Sequence, residues 1–266
     1  MIEIQQDQLV MRFPEVHPEA TVAIEFERTL RVPDDAKKHL VPPSRWLGKF
    51  PLRSVADCVE RVPAWWMDRA GVMLPMYQSE ALLIRCVGSY PLAVKVATGP
   101  IDAITGRLLS VGLERDPQNY LVVPEQRVFY GYCVEKEMLR QFVAMPLGSG
   151  YGTEAPLTAE AERSRLQIVV IPMKISTYRH LPPPSAEFGG HGIFTAEFRG
   201  DPRPAARDPY ALDAWDFQHS SRCSVHLVNS RAWRAITGEQ MPTIPPTARE
   251  YTDAGLPWFA HYDEGH

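Results

Sequence analysis

From Thr21 to Leu30 apolar and polar side chains alternate with a period of two. Val22, Ile24, Phe26 and Leu30 share one face, while Ala23, Glu25, Glu27 and Thr29 share the other. That alternation predicts a half-buried strand. Arg28 falls on the apolar face, so it must lie at the strand's end or pair with a carboxylate. Further short runs, β-branched or aromatic and bounded by Gly or Pro, predict strands over residues 81–87, 92–97, 120–123, 128–134, 139–145, 166–171, 193–198 and 223–228.

Helical signals are few and short. Ser54, with Asp57 three residues on, heads a turn over 55–62 that Pro63 ends, and a second turn over 64–70 closes at Gly71. Thr158 heads residues 159–165, and Asn229 heads residues 230–237 with Gly238 just beyond. No four-turn amphipathic run occurs, which argues against a doubly wound α/β fold. The pattern predicts one domain over residues 1–266 of the α+β class. It is β-dominated, with mostly antiparallel sheet, sandwiched or layered, and a few short helices. Two proline-rich stretches, 181–190 and 200–209, read as surface loops of that domain. Residues 241–266 read as a proline-rich aromatic arm packed on the domain or on a neighbouring subunit.

Composition sharpens this picture in two places. The 25 prolines among 266 residues are about twice the usual share, which fits broken, short elements. The formal net charge of −4 argues against nucleic acid as a partner. No apolar run approaches the ~18–20 residues of a membrane span, so no membrane partner is expected. The N-terminal residues lack the basic and apolar regions of a signal peptide. Cys58, Cys86, Cys133 and Cys223 form no C-x-x-C pair, and a cytoplasmic location with reduced thiols is expected.

Candidate chemistry lies in six places. Tyr77, Gln78, Ser79 and Glu80 form a polar island between two apolar runs. A carboxyl against apolar walls has a raised pKa, which suits Glu80 as a general acid or base with Tyr77 beside it. The competing reading is a loop with Glu80 in solvent or paired to an arginine. Lys95 sits on the face opposite Leu92, Val94 and Val96. It faces water, or, if that face lines a pocket, it binds an anion or acts as a nucleophile. Gln141 on another strand would orient a ligand.

Gly148, Ser149, Gly150, Tyr151, Gly152 and Thr153 form a glycine-rich loop whose N–H groups would converge on an anion. It lacks the lysine of a P-loop, and Thr153 stands where a dinucleotide fingerprint requires its third glycine. The competing reading is a flap or plain turn. His191 lies among glycines, as an acid/base residue or as part of a turn. His219, Cys223 and His226 would bind zinc on a helix, but the strand expected there sends Cys223 and His226 to opposite faces, so neither metal nor cofactor is expected. Trp258 and Phe259, with Leu256 and Tyr262, are too apolar for a bare terminus and mark an interface, within the chain or between subunits.

Two readings of function follow. In the first the chain is a binding or assembly protein of unknown ligand, homo-oligomeric through its aromatic arm. In the alternative it is a small-molecule enzyme with a pocket formed by residues 77–80, the glycine loop and His191. The two are separated by whether those segments converge and by where the arm packs.

Overall fold

The computed structural model describes residues 1–33, 46–67, 71–135, 138–144, 165–182 and 207–262. One sheet runs in the order β1 (Ile2–Gln5), β2 (Gln8–Arg12), β3 (Thr21–Leu30), β6 (Glu80–Val87) and β10 (Val128–Phe129). The second runs β4 (Arg53–Ser54), β5 (Gly71–Pro75), β14 (Ser221–Val228), β13 (Arg165–Pro172), β7 (Leu92–Thr98) and β8 (Ile101–Asp102), with β9 (Leu121–Val123) also paired to β7. A small ribbon joins β11 (Tyr132–Glu135) to β12 (Met138–Arg140). Among the described residues every strand pairing is antiparallel except β14 with β5.

The sheets share one core. Ile24 and Phe26 of β3 and Leu82 and Ile84 of β6 belong to the same buried cluster as Val94 and Val96 of β7, Ile168 of β13 and Val225 of β14. The fold is therefore β-dominated and layered, with short helices: α1 (Ala64–Met67), α2 (Ile175–Tyr178), α3 (Ser230–Thr237) and α4 (Ala248–Asp253). Among the described residues no helix is long and apolar enough to cross a membrane.

Local chemistry accounts for most boundaries. The Asn229 side chain accepts from Ala232 N at 2.9 Å, and Gly238 closes α3 at φ +74°. Ser54 caps its turn as expected, but only Val55–Cys58 are helical there. The run expected to form one strand over 128–134 splits into β10 and β11, which serve different sheets. Gly131 stands at the break, where a Cβ would lie 2.1 Å from the Arg140 carbonyl oxygen. The β1–β2 hairpin carries no glycine signal because its turn residues, Gln6 and Asp7, themselves adopt positive φ. The strand expected over 193–198 lies outside the described residues.

Two faces are more buried than the alternation implies. On β3 the polar side is not solvated: Glu25 and Glu27 are buried, held by Lys49 at 2.7 Å and Arg85 at 3.4 Å respectively. Burial is the main cause that raises the Glu27 pKa, against the lowering effect of Arg85. On the outer face of the second sheet, His226 lies opposite Arg165 in register and stacks on Trp66, ring centroids 3.9 Å apart. Cys223 lies in the inter-sheet core instead, so the strand separates the zinc candidates.

Burial first, and Arg165 second, push the His226 pKa down to about 3. Between there and the ordinary 6.5 the unfolded chain holds a proton that the folded chain refuses, so stability falls as pH falls through that window. Replacing His226→Phe keeps an aromatic ring against Trp66 and removes that proton. Urea unfolding between pH 6 and 4 is expected to lose stability less steeply in the variant, by about 1.4 kcal/mol per pH unit. Equal slopes would show that His226 does not govern this limb.

Candidate functional site

The polar island converges with the end of β3. Arg28, on its last turn of alternation, and Glu80, the first residue of β6, form a buried ion pair: Nε donates to Oε1 at 2.7 Å and Nη2 donates to the same oxygen. The other carboxylate oxygen accepts from Tyr77 N at 3.0 Å. Glu80 is thus fully buried and paired to an arginine, as its position among apolar runs demands. The same guanidinium reaches two carbonyls from distant segments, Leu47 at 3.1 Å and Ile244 at 2.8 Å.

Neighbouring side chains complete the cluster through backbone groups. Tyr77 donates its hydroxyl to Thr243 O at 3.0 Å. Gln78 Nε2 donates to Ala144 O at 3.0 Å, and its carbonyl accepts from Arg31 at 3.3 Å. Gln141 Oε1 accepts from Val32 N at 2.7 Å while Nε2 donates to Leu30 O at 3.1 Å, so its amide stands in for a strand partner beyond β3. Gln141 therefore positions backbone.

The C-terminal arm roofs this end and packs on its own chain. Tyr251 of α4 is fully buried, donates to Ser79 O at 2.6 Å and accepts from Arg31 N at 3.0 Å. Leu30, Tyr251 and Tyr262 form a small core against which Leu256, Trp258 and Phe259 pack half-buried. Trp258 and Phe259 thus line an intramolecular contact. Two hydroxyls at this contact, Ser79 Oγ and Thr243 Oγ1, are buried with no hydrogen-bond partner among the described residues.

Lys95 lies elsewhere, on the outer face of the second sheet, and it is not the water-facing lysine expected there. It is buried, and its ammonium donates to Ser110 O at 2.7 Å, Ser110 Oγ at 3.1 Å and Gly112 O at 2.7 Å. Burial pushes its pKa down, with Asp102 and Glu114 opposing. Buried Asp102 holds the next turn through Ile104 N and Thr105 N, and Asn119 Nδ2 donates to Ser110 Oγ at 3.0 Å. Lys95 therefore fixes a loop.

Tyr77, Glu80, Gln141 and the arm carrying Trp258 and Phe259 thus meet at one end of the first sheet, and Lys95 does not join them. Gly148, Ser149, Gly150, Tyr151, Gly152, Thr153 and His191 lie outside the described residues. Arg31, Thr243 and Tyr251 escaped the sequence reading. Arg31 shows a signal, a second arginine closing the strand after Arg28, whereas Thr243 and Tyr251 contribute through contacts that no local spacing announces.

Truncating one partner of the ion pair strands the other charge. Arg28→Met is expected to cost about 3–5 kcal/mol in chemical denaturation, since Glu80 stays buried without its cation. The double variant Arg28→Met/Glu80→Leu should recover most of that loss. If the double variant is as unstable as the single one, Glu80 is not the source of the penalty. Searches of protein-family models, of curated proteins and of solved structures each find no match to this chain.

Proposed function

We propose that this chain is a binding protein that takes a small, acceptor-rich molecule of the carboxylate class at the arm-covered end of the first sheet. The observation that carries the reading is the pair of buried hydroxyls, Ser79 Oγ and Thr243 Oγ1, that meet no hydrogen-bond partner among the described residues. A buried donor left unmade costs about 1–3 kcal/mol, and a ligand oxygen placed between island and arm would relieve it. The surroundings are rich in donors: Arg28 donates to Ile244 O beside Thr243, and Arg31 N donates to the Tyr251 hydroxyl that itself donates to Ser79 O.

Binding is favoured over acid/base catalysis by how the candidate groups are spent. Both Glu80 oxygens, the Tyr77 hydroxyl and both ends of the Gln141 amide hold backbone or an ion pair. The reading includes a cytoplasmic location, supported by the buried thiols of Cys86 and Cys223.

Thermal unfolding with acetate, pyruvate, succinate and citrate, each against matched chloride, tests this. A carboxylate at a hundred times its Kd should stabilise by about 2.7 kcal/mol, or raise Tm by roughly 5–10 °C. Ser79→Ala should weaken the response at least tenfold in ligand concentration. Native mass spectrometry of the same samples should show one bound molecule per chain. No shift with any of the four, or an undiminished shift in Ser79→Ala, would overturn the reading.

A further inference from the structure

The loop that Lys95 holds carries two nearly bare apolar side chains. Leu108 is 75% exposed and Val111 is 94% exposed. Single exposed apolar residues are ordinary, and mobile loops often carry them. This loop is tied down instead. Its backbone is fixed by Asp102 N to Arg107 O at 2.9 Å, Gly106 N to Asp102 O at 3.0 Å and Leu109 N to Pro100 O at 2.8 Å, and Leu108 bridges to Ile101 at the sheet edge. Beneath it lie Lys95, Asp102 and Asn119, each at most 2% exposed: Lys95 and Asn119 both donate to Ser110 Oγ and Gly112 O, and Asp102 accepts from Ile104 N and Thr105 N at the loop's start. Burying an ammonium, a carboxyl and an amide to hold a surface turn is expensive for stability alone. Fixing apolar side chains outward in one geometry is what an interface requires, because ordering costs are then met before the partner arrives.

The flanking charges point to the partner. Exposed Arg107 precedes the two apolar side chains, and exposed Glu114 and Asp116 follow them. A two-fold contact sets Leu108 and Val111 of one copy against those of the other and brings each Arg107 to the opposite copy's carboxylates. We infer that the loop over residues 105–112 is a preorganised docking element for a second copy of this chain, with Leu108 and Val111 at its centre and Lys95 as the residue that positions it. This surface is separate from the proposed carboxylate seat and does not depend on it. A contact built on one loop per chain falls in the weak, transient class, so assembly should vary with concentration.

Sedimentation equilibrium of the full chain tests the inference. At concentrations on the order of 100 μM the native protein should show mass approaching twice the 30.0 kDa chain, dissociating on dilution. Val111→Asp should raise the dimer dissociation constant at least tenfold, while Val59→Asp, at another exposed apolar position, should not. Arg107→Glu should weaken the dimer, and Arg107→Glu/Glu114→Arg should restore it, since reversal on both copies rebuilds each pair. Lys95→Met should weaken it although Leu108 and Val111 remain. A native monomer throughout, a dimer indifferent to Val111→Asp, or equal loss in Val59→Asp would each overturn the inference. So would a folded Lys95→Met protein that dimerises normally.

Discussion

The buried guanidinium of Arg28 is where four separate stretches of chain become one structure. It emerges from the end of β3, pairs with Glu80 at the start of β6, and donates to carbonyls at Leu47 and at Ile244, the last of these 216 residues away in sequence. Such a pair contributes little net stability when compared with apolar side chains of similar volume. What it does supply is direction. A planar fork with five donors makes four hydrogen bonds here, two to one carboxylate oxygen and one to each of two carbonyls, one more than the three donors of a lysine could supply. Removing it would leave Glu80 charged in the interior and let go of the arm in the same stroke.

The same device recurs at several other places among the described residues. Carbonyls that lie beyond the reach of a ladder partner still need a donor when buried. Here side-chain donors meet them: Lys95 at Ser110 and Gly112, Tyr77 at Thr243, Tyr251 at Ser79, Gln141 at Leu30, Tyr90 at Met173 and Arg115 at Asp208. Asp208 itself is buried between the Tyr120 hydroxyl and the Trp215 indole, which ties the end of a stretch that reads as a plain surface loop into the interior. Buried polar side chains therefore do in this protein what ladder hydrogen bonds do in a sheet.

That device decides what the sequence could reveal. Strands were legible where the period was clean, as in β3, and α3 was legible from Asn229 and Gly238 because capping is local chemistry. Arg28 on an apolar face is compatible with a carboxylate partner or a strand end, and Glu80 between apolar runs with an acid/base role, solvent or an arginine. Neither announced the other, because 52 residues separate them. Lys95 is buried for a related reason that spacing does not carry, since a lysine opposite an apolar face ordinarily reaches water. Nothing in the spacing shows that the loop after β8 folds back over it. The helix α4 is hard to see in the arm although Thr247 and Glu250 form a capping box, since the surrounding prolines read more strongly than the box.

The two ends of the molecule apply one principle with opposite outcomes. At the Arg28 end, buried donors draw the arm inward, and the closed contact still leaves the Ser79 and Thr243 hydroxyls unmet. A stability-driven surface would have traded those hydroxyls for methyl groups, because an unmade buried hydrogen bond costs more than the bond would yield. At the Lys95 end, donors of the same kind push a loop outward and leave Leu108 and Val111 in water. Each end holds something that folding alone leaves unsatisfied, polar in one case and apolar in the other. An unmet donor selects an acceptor and a bare apolar pair selects a dry surface, so the two ends call for different partners. This is the physical ground for reading the first as a seat for a small molecule and the second as a face for another chain.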